Sequence, residues 1–394
     1  MIQITNKKNC CGCAACAQAC PKQCISMVVD NEGFLYPIVD KSTCIECSLC
    51  EKVCHELHPM EERKPLKVLA AINKDEEVRL KSSSGGIFYL LAEKIISDGG
   101  VVFGARFDEQ WQVIIDYAET MEGVKSFMGS KYVQARTESA FNKAKKFLLE
   151  GRKVLFSGTP CQIAGLHYFL HKPYANLLTV DFICHGTPSP KVWSMYLDEV
   201  LREGQRISNV EFRNKKKGWK NFCFNLSYNE NDKTVSMLSP FSQNHYMKAF
   251  LRNVILRPSC YACKANSGRS HSDITIADFW GINTIFPDMD DDKGTGLVFI
   301  NTDKGTLSLN KEKMTTAEAD YDRVKPLNSA CYRSPMEHPK RAEFFNRLDK
   351  ELSIITLIKE CTTLTFKQRI WNLIGMHKQL IGKVLTKVIR GRPT

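Results

Sequence analysis

At 394 residues, with 43% of them hydrophobic, the chain is too long for one small module and suits two or three domains around a sizeable core. The formal charge of +12 is unevenly placed, because Lys340 to the end holds 12 Lys and Arg against 4 Asp and Glu, a balance of 12 − 4 = +8. No run approaches the roughly 18 consecutive apolar residues that a membrane-spanning helix needs, and no recognised nucleic-acid motif accompanies the charge, so neither a spanning helix nor a nucleic-acid partner is expected. Ten of the 17 cysteines fall within the first 54 residues, and only MIQITNKKN stands ahead of Cys10. With no apolar leader there, reduced thiols and a cytoplasmic address are the expectation.

The first segment carries the strongest pattern. Cys10, Cys13, Cys16 and Cys20 followed by Pro21 make CxxCxxCxxxCP, and Cys44, Cys47, Cys50 and Cys54 repeat the spacing with His55 in place of the proline. Three thiolates at three-residue spacing wrap three corners of one cubane, while the fourth cysteine of each run ligates the other cluster. The spacing is that of a two-cluster ferredoxin, with one 4Fe-4S cluster on Cys10, Cys13, Cys16 and Cys54 and the other on Cys20, Cys44, Cys47 and Cys50. Zinc is the alternative, although zinc sites favour pairs of CxxC separated by a dozen or more residues. Cys11 and Cys24 fall outside the repeat and read as small buried side chains. The expected module spans 1–58.

A polar linker from His58 to Pro65 then leads into short apolar runs alternating with helical periodicity, the pattern of an α/β domain. Ser82-Ser83-Ser84-Gly85-Gly86 opens an apolar helix from Ile87 to Ile96, and its loop reads either as a plain helix cap or as a phosphate cradle. Thr137 to Glu150 reads as a helix, Lys153 to Ser157 as a strand, and Gly158-Thr159-Pro160-Cys161-Gln162 as the turn into the next helix. The plan repeats with a strand at Leu177 to Ile183, then Cys184-His185-Gly186, then a helix from Pro190 to about Glu203. If the two strands are parallel, Cys161 and Cys184 share the carboxyl edge where open α/β sheets bind ligands.

Cys260-Tyr261-Ala262-Cys263 adds a CxxC pair ahead of the strand-like SDITIADFWG. With Cys161 and Cys184 it would complete a third 4Fe-4S site, with a redox disulfide or plain buried thiols as alternatives. Cys223, Cys331 and Cys361 have no partner spacing and read as structural.

As an ordered set these pieces resemble the beta subunit family of coenzyme F420 hydrogenase and dehydrogenase. The resemblance is carried by Ser84-Gly85-Gly86, Gly129-Ser130-Lys131-Tyr132-Val133-Gln134, Gly158-Thr159-Pro160-Cys161-Gln162, Cys184-His185-Gly186, the CxxC at Cys260 and Asp278-Phe279-Trp280-Gly281, over roughly residues 1–330. It implies an α+β ferredoxin-like N-terminal domain and a larger α/β flavin-binding domain (66–150 and 151–330); beyond it, where no resemblance is found, a mostly helical C-terminal tail (331–394) is expected. It further implies FAD bound by Ser84, Gly85, Gly86, Lys131, Tyr132, Gln134, Gly158 and Thr159, a third cluster on Cys161, Cys184, Cys260 and Cys263, and proton handling by His185 or Asp278.

The implied activity is an iron-sulfur flavoprotein oxidoreductase passing single electrons through FAD to or from an organic substrate or a deazaflavin-type cofactor. The competing reading is a non-catalytic electron-transfer subunit serving a partner enzyme, with surface-polysaccharide synthesis one setting among relatives; a scaffold with structural metal is a third. From Cys361 onward seven basic and no acidic residues interleave with Leu364, Phe366, Ile370, Trp371 and later apolar positions. That pattern suits a basic amphipathic helix, either docked on an acidic protein or an anionic inner-membrane surface, or packed on its own domain.

Overall fold

The computed structural model describes residues 1–231 and 233–363. The basic amphipathic stretch expected from Cys361 onward lies almost wholly outside them.

In the N-terminal segment each cysteine run turns into a single helical turn, Ala15–Ala19 and Leu49–Lys52. Both turns begin from a left-handed residue, Ala14 at φ 60° and Ser48 at φ 57°, each set between the second and third cysteine of its run. A left-handed conformation is uncommon for a residue with a Cβ, so its recurrence at equivalent positions extends the sequence repeat to the backbone. Between the runs lies a hairpin of β1 (Ile25–Val29) and β2 (Leu35–Val39).

The large sheet uses β3 (Lys67–Asn73), β4 (Val101–Phe107), β5 (Val113–Ala118), β6 (Val154–Ser157) and β7 (Leu177–Phe182). A separate antiparallel sheet follows from β8 (Arg206–Asn214), β9 (Cys223–Glu230) and β10 (Lys233–Pro240). The chain then returns to the large sheet with β11 (Ile274–Asp278), β12 (Gly296–Ile300) and β13 (Met314–Ala319), giving the order β13-β3-β12-β11-β7-β6-β4-β5.

Its centre, β11-β7-β6-β4, is parallel, and the flanking pairs β4–β5, β11–β12, β12–β3 and β3–β13 are antiparallel. The central strands β6 and β7 are buried along nearly their whole length, as at Val154, Leu155 and Phe156, because helices cover both faces. The α/β expectation therefore holds for a mixed sheet, and the expected parallel relation of β6 and β7 is present. The expected helices lie at Ile87–Ser97, Ala140–Leu149 and Pro190–Val200.

Packing crosses the expected boundaries. Cys10, Phe34 and Tyr36 share one core cluster with Trp193, Phe212, Phe224 and Tyr246. The C-terminal residues up to Thr362 join it. Helices Arg341–Arg347 and Ile354–Thr362 bury Phe344, Phe345, Leu357 and Ile358 in that same cluster. That cluster is shared with the three-stranded sheet and helix His245–Leu251.

A buried ion pair closes this arrangement. Arg341 donates to both carboxyl oxygens of Glu32, at 3.1 and 2.5 Å, and also to the Leu256 carbonyl, so the last helices are tied to the β1–β2 turn. Removing one partner strands the other charge, so Arg341→Met is expected to cost about 3 kcal/mol. A combined E32L/R341M variant should recover most of that loss when the two are compared by chemical denaturation.

Candidate functional site

The carboxyl ends of β6, β7 and β11 meet at one edge. There the chain leaves β6 through Gly158 and Thr159 into helix Pro160–Leu170, and leaves β7 through Ile183, Cys184 and His185. A cavity of about 660 Å³ opens beside them, within the range of small-molecule and cofactor sites. Its walls include Ser84 to Gly86, Gly129 to Val133, Gly158, Thr159, Cys184, His185, Arg213 and Asp278.

Helix Ile87–Ser97 starts at this cavity from Gly86, which is left-handed at φ 81° and gives no side-chain cap. Its first amides are therefore open to an acceptor from outside. Gly85 has a packing reason too: a Cβ there would lie 2.3 Å from the Ala71 carbonyl oxygen and 2.5 Å from the Gly296 nitrogen. The other helix start is closed, because Thr159 and Gln162 form a reciprocal capping box. Ser83 and Ser130 join the two loops across the cavity through their hydroxyls at 2.8 Å.

Lys131 reaches into the same wall, where its Nζ donates to the carbonyls of Met128 and Gly129 at 2.9 and 3.1 Å. Burial lowers its pKa to about 7, since no anion answers the charge. His185 lines the cavity edge-on to Phe250, and its Nε2 has no partner among the described residues. Burial lowers this imidazole's pKa as well.

Asp278 is otherwise engaged. It accepts a forked pair of bonds from Arg213 at 2.7 and 3.0 Å and a third from the Trp219 indole at 2.8 Å. Arg213 in turn lies 4.0 Å from the Phe222 ring, and Trp219 stacks on Trp280 at 4.9 Å. Both carboxyl oxygens are thus committed to fixing this wall, which suits Asp278 to positioning rather than to moving protons. Gln134 also departs from expectation: it turns away from the cavity, donating to the Cys11 carbonyl at 2.9 Å and accepting from Arg257 at 3.0 Å.

The cysteines gather behind the cavity. The Cys184 thiol is pushed up well above its ordinary range by burial and then by Cys260, Cys161 and Cys263, so these four lie within one another's field. Cys16 is pushed up to about 12 by burial and then by Cys10 and Cys54. Cys20, Cys44, Cys47 and Cys50 ring a separate hollow, with Cys24 beside them. Among the described residues, only Cys11, Cys13 and His55 bring three ligand atoms within 4.8 Å of one another.

Residues 151–322 match the family described as the C terminus of the coenzyme F420 hydrogenase/dehydrogenase beta subunit. That segment belongs to this family. The beta-subunit match takes in Cys161, Cys184, His185, Cys260, Cys263 and Asp278, and it begins after the loops at Ser84 and Lys131. No curated protein matches the chain. Among solved structures, one from the F420-reducing nickel-iron hydrogenase complex of Methanosarcina barkeri is similar over 74% of this chain and 95% of its own, at 18% identity and a TM-score of 0.47.

Several residues at this site were not singled out by spacing. Cys11, read as a bland neighbour, faces both His55 Nε2 at 3.0 Å and Cys161, whose thiol its contact pushes up. Arg213, Trp219 and Arg257 have no motif of their own, and only the fold brings them to the site. Replacing Gly85 with Ala should lower stability by roughly 1–3 kcal/mol through overpacking. Gly129→Ala, which meets nothing within 4 Å but keeps φ +78°, should cost less, and thermal unfolding of the two variants checks the order.

Proposed function

We propose that the chain is an iron-sulfur flavoprotein oxidoreductase that relays single electrons between a partner and a flavin held in the cavity. The observation that carries this reading is the single carboxyl edge of β6, β7 and β11, which sets a cofactor-sized cavity against Cys184 and, behind it, against Cys161 and Cys11. The beta-subunit family is one of oxidoreductase subunits, and its match covers this edge.

The residues fit the groups proposed. A dinucleotide needs donors for its pyrophosphate, and the open amides at the start of helix Ile87–Ser97 and the amino group of Lys131 supply them. The buried thiols raise one another's pKa, a cost that a cationic iron core removes. In this reading Cys10, Cys13, Cys16 and Cys54 hold an inner 4Fe-4S cluster, Cys20, Cys44, Cys47 and Cys50 an outer one, and Cys161, Cys184, Cys260 and Cys263 a third. Bound clusters carry one electron at a time, and a flavin exchanges one or two and can pass a hydride to an organic partner.

The chain's own part is placement. Arg213, Asp278 and Trp219 hold the aromatic wall around Trp280 rigid, and His185, with a free ring nitrogen at the cavity, is the group suited to hold or deliver a proton. The outer ring favours a protein electron partner, because Cys47 is exposed and the neighbouring Ile45 is 56% exposed. That feature serves an enzyme and an electron-transfer subunit alike, and bound flavin separates the two.

Anaerobic preparation should yield about 12 iron atoms and one FAD per chain, by four irons per cubane. Eight irons without flavin would sink the flavoenzyme reading and leave an electron-transfer subunit. Lys131→Met should weaken FAD binding about 10- to 100-fold, the worth of a hydrogen bond to a charged group.

The pH dependence follows from the same lysine. In the free cavity the amine is neutral above about pH 7, and a bound pyrophosphate favours its charged form. FAD binding should therefore take up a proton above pH 7 and weaken as pH rises from there, with little change below it. Calorimetric titration in buffers of different ionisation enthalpy checks the uptake, which K131M should abolish.

A further inference from the structure

Arg257 is fully buried, at 0% exposure. Its side chain sits between the N-terminal cysteines and the large domain: Nε donates to the Cys10 carbonyl at 2.8 Å, Nη2 to the Leu35 carbonyl at 2.8 Å and Nη1 to Gln134 Oε1 at 3.0 Å. The Tyr36 and Phe34 rings lie 4.3 and 5.4 Å from its guanidinium carbon. None of these groups is a carboxylate. A guanidinium removed from water without a bonded carboxylate is costly even with the buried Glu56 in its field, so its remaining contact is informative. That contact runs from Nη2 to the sulfur of Cys10, at 3.6 Å.

The backbone of Arg257 belongs to the other side of the junction. Its amide donates to the Thr187 carbonyl at 2.9 Å, its carbonyl accepts from the Cys260 amide at 3.0 Å, and the Thr187 amide points to the Cys260 sulfur at 3.3 Å. One residue is thus built into the loop of Cys184 and Cys260 while placing its charge on Cys10. The outer ring has a different setting. There the Cys50 sulfur accepts from the neutral Ile2 amide at 3.2 Å, Cys47 is exposed, the Met1 ammonium beside Cys44 and Cys50 is paired with Glu51 at 3.3 Å, and the nearby Lys22 is open to solvent and screened by it.

We propose that Arg257 sets the reduction potential of the inner site, on Cys10, Cys13, Cys16 and Cys54, holding it above that of the outer site on Cys20, Cys44, Cys47 and Cys50. The proposal rests on the cluster assignment made above. One-electron reduction adds a negative charge to a cluster, and a fixed cation bonded to a ligand sulfur in a dry interior stabilises that form over the oxidised one. Two sites of identical cysteine spacing are thereby made unequal. An electron entering at the exposed outer ring comes to rest at the inner one, next to Cys11 and Cys161.

The test is an EPR-monitored redox titration of the full-length holoprotein, with iron content measured on each sample, the outer midpoint assigned with Cys47→Ser and that of the third site with Cys263→Ser, which leaves the inner one. Arg257→Gln should lower the inner midpoint by at least about a tenfold change in the reduction equilibrium, ~59 mV for a one-electron couple. The outer midpoint should stay in place. Arg257→Lys, which keeps the charge without the fork, should shift the inner midpoint in the same direction by less.

If R257Q loses iron, R257K decides: a lowered inner midpoint supports the proposal and an unmoved one overturns it. Full iron in R257Q with both midpoints unmoved overturns the proposal and leaves the cluster assignment standing. A wild-type chain without cluster iron overturns both.

Discussion

The parallel pairing of β4, β6, β7 and β11 is the constraint from which the site follows. Parallel neighbours end at the same edge, so the connections leaving β6 and β7 emerge side by side and bring Cys161 next to Cys184 without any pairing of those loops themselves. β11 adds Asp278 at the same edge, in register through Ile274–Val180 and Ile276–Phe182. The antiparallel strands outside this core contribute differently. β12 and β3 hold Gly296 against Ala71, and it is into that close approach that Gly85 fits, fixing where helix Ile87–Ser97 begins.

The cysteine repeat was legible because it is local, and local spacing is what a sequence displays. The left-handed Ala14 and Ser48 carry the same repeat into the backbone. β6 and β7 were legible for a similar reason: an apolar run, a glycine or cysteine turn and a helix follow one another without interruption.

What stayed hidden was set at long range. Gln134 sits in a motif whose neighbours Lys131 and Tyr132 line the cavity, yet the backbone hydrogen bond from its amide to the Pro188 carbonyl fixes the local strand-like geometry, and its side chain faces the opposite way. The three-stranded sheet and the role of Arg341–Arg347 as a core helix were likewise invisible, because the faces they bury become meaningful only when brought together. Cys11 was read as a filler for want of any spacing rule, although it is the N-terminal thiol that meets Cys161.

Three of the buried arginines, Arg213, Arg257 and Arg341, tie distant parts of the chain together, and their partners differ in kind. Arg341 joins the last helices to the β1–β2 turn through Glu32, and Arg213 joins β8 to β11 through Asp278; each is neutralised by a forked carboxylate. Such pairs hold position and leave little net field at a distance. Arg257, at the junction between the N-terminal cysteines and the cavity loops, is met by carbonyls, an amide, two aromatic faces and a sulfur. No carboxylate is bonded to it, so its field is felt by the negative groups that share that space, the buried Glu56 included. A purely structural tie at this junction would have been served by a carboxylate pair, as at the other two, whereas a charge left without a bonded carboxylate is what a site that must accept an electron can use.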